Sequence, residues 1–258
     1  MTRQTSRRVP RLMDLRIGGL PSELPVFPLA GALLLPGGKL PLNVFEPRYL
    51  AMIEDALAGD RLFGMIQPND HSVDEADEDE HDDADDQDHD LDAPSITARR
   101  GLAEDVPPPL FGVGCVGRIV SFAERQDGTC SITLTGLARF RMQTELSGTR
   151  GYRRLLVGYG GFERDLEQVG DIEFDREALL ASLRRYFIHR GFEARWEAVK
   201  QMDDETLLTT LSMICPLPPA EKQALLEAPT FADRARTLQA LLEMAGHETE
   251  DGGTSHAV

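Results

Sequence analysis

The spacing of apolar residues changes once along this chain, and that change limits what it can fold into. Between residues 110 and 165 the pattern alternates: Cys130, Ile132 and Leu134 are set against Ser131, Thr133 and Thr135. Period two marks a half-buried strand. From 171 to 246 the spacing becomes three and four, as in Leu179, Leu180, Leu183 and Phe187. That period marks helices with one buried face. Strands followed by helices predict an α+β chain rather than a doubly wound one.

The strand half begins before residue 110. Leu24–Phe27 and Leu40–Phe45 are short apolar runs containing proline. Proline cannot donate to a ladder, so edge strands or strand ends are expected. Pro36-Gly37-Gly38 between them reads as a turn. Glu46-Pro47-Arg48-Tyr49 opens a helix with proline at its first position, Leu50, Ile53 and Leu57 on one face and Gly59 as its C-terminal cap. Residues 61–67 return as a strand. Val113, Cys115 and Ile119 alternate with Gly114, Val116 and Val120, so both faces are apolar, as in a barrel strand. Asp127-Gly128 predicts a hairpin, and Gly136 a break. Arg139–Met142 and Tyr152–Gly160 continue the sheet. Sequential antiparallel strands with one early helix close most naturally into a small barrel, which removes exposed edges.

In the helical half, one helix should end at Gly191. A second is capped by Asp203 or Asp204 and stopped by Pro216. A third opens at Pro218-Pro219, and a fourth is capped by Thr230. The expected organisation is a flexible lead over 1–20, a β domain over 21–165 carrying a disordered acidic insert at 70–109, a helical bundle over 171–246 and a disordered tail over 247–258.

Charge adds an exclusion. The formal charge is −17, but residues 70–92 hold 14 Asp and Glu with no Lys or Arg. Removing them leaves 30 acids against 27 bases, or −3. A nearly neutral body argues against a duplex-DNA binder, which needs a basic face. No apolar run approaches membrane-spanning length. The basic start lacks the apolar stretch of a secretory signal. Three cysteines, Cys115, Cys130 and Cys215, form no CxxC, so a disulfide framework is not expected and a reducing cytoplasm is.

Few residues suggest chemistry. Gly112, Gly114 and Gly117 match GxGxxG, but a strand-like stretch follows where a dinucleotide site needs a helix. Curvature relief in a barrel strand is the expected role. Gly37-Gly38-Lys39-Leu40 lacks both the upstream glycine and the hydroxyl of a phosphate loop. His71, His81 and His89 lie in the acidic run, where a flexible polyanion offers no fixed coordination shell. GxSxG and HExxH are absent. His189 with Cys215 or an acid would be the pairing to look for in an enzyme. Neither catalysis nor a metal or other cofactor is expected.

Several motifs in order resemble the N-terminal substrate-binding domain of Lon protease. They are Leu24-Pro25-Val26-Phe27-Pro28-Leu29, Leu35-Pro36-Gly37-Gly38, Leu40 through Tyr49 and Asp60 through Gly64. Gly112 through Ile119, Ile132 through Gly136 and Arg139-Phe140-Arg141 continue the match over residues 22–165, and Glu221 through Glu227 extend it less firmly. The resemblance implies a PUA-like, mostly antiparallel β pseudo-barrel followed by a C-terminal helical bundle. It implies recognition of unfolded or damaged polypeptide in protein quality control, independent of ATP. It does not imply proteolysis, because the chain ends before an ATPase or a Ser–Lys protease domain could fit.

A site for unfolded polypeptide needs exposed apolar side chains, with a free strand edge as a further means of capture. Leu33, Leu34 and Leu35 are candidates, since three consecutive leucines cannot all face inward on one strand. Phe45, Tyr49 and Met65 complete the candidate set. Two alternatives remain. One is RNA binding through Arg139, Arg141, Arg150, Arg153 and Arg154 around Phe140 and Tyr152. The other is an adaptor that docks on a protease or chaperone through its helices. Nucleic acid is the less expected partner, and no membrane is expected.

Overall fold

The computed structural model describes residues 16–69, 107–148, 150–167 and 173–247. Six strands and six α-helices occur among them. β1 (Glu23–Pro28), β2 (Lys39–Val44), α1 (Pro47–Ala58), β3 (Leu62–Ile66), β4 (Val113–Glu124), β5 (Cys130–Leu146) and β6 (Arg153–Gly158) form the first part. α2 (Arg176–Arg190), α3 (Trp196–Gln201), α4 (Asp204–Ile214), α5 (Pro219–Glu227) and α6 (Phe231–His247) form the second. The six-residue α3 was not anticipated, because one and a half turns carry too little periodic signal. Most of the expected lead, acidic insert and tail lies outside the described residues. At the inner end of the lead, Ile17–Gly19 make a 3-10 turn and Leu20 is buried.

The strand order is β2-β5-β4-β3-β1-β6, and β6 also pairs with β5. Five strands therefore close a ring, with β2 attached outside it. β1 and β3 are parallel, and the other pairings are antiparallel. The sequential antiparallel expectation is corrected at that one place, because α1 is the crossover a parallel pair requires. β1 is also not an edge. Pro25 pairs with Arg154 of β6, but pairing with β3 starts only at Val26, so its missing N–H interrupts no ladder there. Pro68 bridges Leu110, so the chain leaves and rejoins the β3–β4 hairpin at one point.

Two apolar clusters divide the interior. One draws on β1, β3, β4, β5 and β6 and fills the ring, with Leu24, Val26, Val116, Phe140 and Leu155 at its centre. The other lies on the outer face of the sheet and takes in Phe27, Phe63, Leu134 and residues of all six helices. The expected boundary near 165–171 is thus a change of secondary structure across which one hydrophobic cluster runs.

Polar bonds tie the same junction. Gln67 Nε2 donates to the Pro219 carbonyl (3.0 Å) and to Gln223 (3.2 Å), while its Oε1 accepts from Gly31 N–H (3.0 Å). Lys222 Nζ donates to the Gly31 carbonyl at 2.7 Å. Buried polar groups must find partners, so these bonds hold α5 in one position on the ring.

Gly136 does not break β5. Its N–H donates to Gly38 O (2.9 Å) and its carbonyl accepts from Gly37 N–H (3.0 Å). A Cβ there would lie 2.0 Å from the Leu35 carbonyl oxygen. The glycine lets the leucine loop run against the strand.

Candidate functional site

The leucine loop is the first correction to the expected site. Leu33, Leu34 and Leu35 are 2 %, 1 % and 0 % exposed. The segment 32–36 is irregular rather than a strand, so alternation does not apply and all three side chains turn inward. They share a cluster with Leu207, Leu208 and Leu211 of α4. Exposing them would cost about 2 kcal/mol each, or about 6 kcal/mol together. That is too much for a ready-made binding surface. Tyr49 and Met65 are also buried. Tyr49 stacks on Phe27, centroids 4.0 Å apart, and so fastens α1 to β1. Among the expected site residues only Phe45 stands in solvent, at 68 % exposure.

Phe45 follows β2 and precedes α1. Glu46 begins that helix without capping it through its side chain; its carboxylate instead accepts from Arg48 Nε (2.9 Å) and Nη2 (2.7 Å). The pair lies in water at the turn into α1.

Two further apolar side chains that sequence reasoning missed are exposed. Val120 and Phe122 belong to β4, whose last five residues are all exposed. β4 has 12 residues and β5 has 17, against five in β3. At about 3.3 Å per residue the long pair must overrun the ring. The overrun carries β2 on one side, with Phe122, Ile132 and Leu42 in register across the three strands. Asp127-Gly128 turns it, with Gly128 at φ +80 and Thr129 N–H bonded to Asp127 Oδ1. Asn43 Oδ1 accepts from Arg125 (2.9 Å) and Ser131 (2.8 Å) and locks β2 to this hairpin. The legible signal was an apolar run, Ile119–Phe122, continuing past the length of its neighbour strand.

The basic cluster is spent on internal pairing. Arg139 is buried. Arg150 pairs with Glu54 and Asp55, Arg153 with Glu145, and Arg154 with Glu23. Arg141 lies over the Phe162 ring.

The thiols are buried, and burial raises Cys115 far above its ordinary value and pushes Cys215 up to about 12. His189 sits exposed at the end of α2 while Cys215 is enclosed. Among the described residues no three His, Cys, Asp or Glu form a metal-binding group, and no helix is long and apolar enough to cross a membrane. His71, His81 and His89 lie outside the described residues.

The family described as the ATP-dependent protease La (LON) substrate-binding domain matches residues 23–244. The Lon protease of Anaeromyxobacter dehalogenans (strain 2CP-C) is 26 % identical over 229 residues, which are 86 % of this chain and 23 % of that protein. Lon protease 2 of Myxococcus xanthus is 27 % identical over 231 residues, 86 % of this chain and 24 % of its own length. The chain therefore spans about a quarter of these relatives. The crystal structure of a Lon N-terminal domain protein from Xanthomonas campestris shares the fold at a TM-score of 0.51, with 22 % identity, 84 % of this chain and 97 % of that one covered. A ring of strands followed by helices, matched along most of its length, belongs to the Lon substrate-binding domain family.

Proposed function

We propose that this chain is a non-catalytic module that binds unfolded or damaged polypeptide. The observation that carries the reading is the overrun: Val120 and Phe122 are exposed on its β4 strand and Phe45 is exposed just past the end of its β2 strand, while the other expected site residues are packed away. A rigid strand pair presenting aromatic and branched side chains offers apolar contact without prior ordering cost. Family membership supports the same class of ligand. In this reading the closed ring is a PUA-like pseudo-barrel, the helices are its bundle, and the module works in cytoplasmic quality control without ATP.

RNA is the weaker reading, because four of the five arginines it needs are paired or buried and Arg141 lies over the Phe162 ring. The adaptor reading has its own support in Ile188 and Phe192, exposed at 77 % and 44 % near the end of α2, far from the projection in sequence. Docking there on a protease or chaperone is compatible with client binding at the projection.

The test is a titration of a labelled, reduced and carboxymethylated protein and its folded counterpart. The denatured form binds and the folded form does not. Replacing Phe45, Val120 and Phe122 together by serine weakens binding by about tenfold or more, roughly 1.4 kcal/mol, with the melting temperature unchanged. Equal binding of both forms, or none of either, rejects the reading.

A further inference from the structure

We propose that the outer edge of β4 between Val120 and Glu124 takes up an extended segment of the client as an added strand. The inference rests on the polypeptide-binding reading and specifies how that binding is made.

The backbone supplies the argument. β3 follows β4 only from Met65↔Cys115 to Leu62↔Arg118, and the last bond across this edge is Ile119 N–H to the Arg61 carbonyl, 2.9 Å. At that point the chain joins the sheet from α1. Arg61 has φ +63, the left-handed region, although Gly59 stands two residues earlier with an ordinary negative φ. A non-glycine residue held there stores about 1 kcal/mol of strain. The consequence is local: the turn at Arg61 leaves the rest of β4 without a neighbour on that side among the described residues.

The orientation of the free groups follows from alternation. Arg125 N–H donates across the hairpin to Thr129 O at 2.8 Å, so Arg125 faces β5. Counting back, Ala123 faces β5, whereas Glu124 and Phe122 turn their N–H and C=O outward. The register shift between Ile119 and Ser121 absorbs the odd residue and reconciles this count with Ile119 facing β3. Only another extended backbone satisfies such a row of alternating donors and acceptors.

The two free edges of the projection are not equivalent. β2 carries Lys39 and Pro41, the residue types that keep an edge from pairing. Val120-Ser121-Phe122-Ala123-Glu124 carries neither, and all five residues are exposed. Phe122 offers a cross-strand apolar neighbour to the incoming chain. Arg61 at one end and Glu124 at the other are both exposed, and they favour a segment with an acid near the ring and a base near the hairpin tip. The occupant is an extended, alternately apolar client segment.

The experiment uses the full chain and a labelled peptide of about nine residues, alternating Val and Thr between a terminal Glu and a terminal Lys. A second peptide has the same side chains but alternate amides N-methylated. The first binds, the second binds about tenfold more weakly or less, and Phe122→Ala and Glu124→Pro each weaken the first peptide. Hydrogen exchange gives a readout that needs no variant: Phe122 and Glu124 amides exchange fast in the free chain and slow on binding, while Ala123 is slow in both. Equal binding of the two peptides, or no slowing at Phe122 and Glu124, overturns the edge while denatured-protein binding still upholds the broader reading. Absence of binding by peptide and denatured protein alike overturns both. A concentration-dependent dimer that protects Phe122 and Glu124 would give the edge to a second copy and overturn the client assignment.

Discussion

Arg139 on β5 and Asp165 beyond β6 form a two-pronged ion pair in the interior, with Nη2 to Oδ1 at 2.8 Å and Nε to Oδ2 at 2.9 Å. Arg139 Nη1 continues to the Leu226 and Ala228 carbonyls at the end of α5. Arg234 of α6 bonds the neighbouring Leu225 carbonyl through Nε at 2.8 Å. Burial, and then the nearby Arg139, lower the Arg234 guanidinium to about 10. Two buried cations share one carboxylate, and the negative end of α5 supplies the remaining compensation.

Asp165→Asn leaves Arg139 buried against a neutral partner. Stability falls by about 3–5 kcal/mol, the cost of an orphaned buried charge. Urea unfolding measures it. Replacing both residues by apolar ones costs less than the sum of the single changes, because no lone charge remains.

Gly136→Ala drives a methyl group into the Leu35 carbonyl, and backbone cannot yield as a side chain can. The loss is about 2–3 kcal/mol or more, read as a lowered melting temperature. Gly128→Ala strains only the hairpin tip, where open space surrounds the Cβ, and costs about 1 kcal/mol.

Leu34→Ala and Phe45→Ala separate core from surface. The first removes a fully buried side chain and costs about 2–5 kcal/mol. The second changes stability by about 0.5 kcal/mol or less while reducing binding of denatured protein. A large loss of stability at Phe45 would contradict its exposure.

Acid sensitivity follows from three aspartates held below the usual carboxylate range. Asp203 accepts the Thr206 N–H at the start of α4, Asp127 accepts the Thr129 hydroxyl and N–H, and Asp55 accepts the Tyr152 phenol. In this window the unfolded chain binds more protons, so stability is fully present above about pH 4 and declines as pH falls through the lowered values. Asp203→Asn flattens that acid limb in urea midpoints measured from pH 7 to 3. Glu205 runs the other way. Burial raises it, so Glu205→Gln raises the midpoint at pH 7.

Three enclosed thiols predict slow modification. Cys115, Cys130 and Cys215 are raised by burial, and thiolate is the reactive form. A colorimetric disulfide reagent at pH 8 titrates none of them within minutes in the native chain and all three in urea. Fast release of a single thiol would place one cysteine on a mobile surface.

Local rules were legible wherever the cause lies within a few residues. Asp203 caps α4 by accepting Thr206 N–H at 2.8 Å, Thr230 accepts Asp233 N–H at 3.1 Å, and Gly191 ends α2 at φ +69. Asp127-Gly128 makes its hairpin, and the glycine-rich run of β4 remains a strand. Each depends on backbone geometry that a short stretch sets for itself. The family was legible too, because its motifs keep their order along the chain.

Other outcomes depended on residues distant in sequence. Leu33–Leu35 read as a sticky loop until α4 covered them, and Arg139 read as a surface base until Asp165 and the end of α5 enclosed it. Gly59 caps α1 as expected, yet the left-handed conformation falls two residues later, on Arg61, as the chain enters β3. Exposure of Phe122 follows from a mismatch in length between β3 and β4, which no single strand reveals. Periodicity and turn chemistry belong to the amino-acid order, since they act over one or two turns of backbone. Burial is a property of whatever packs opposite, so only the assembled chain could assign it.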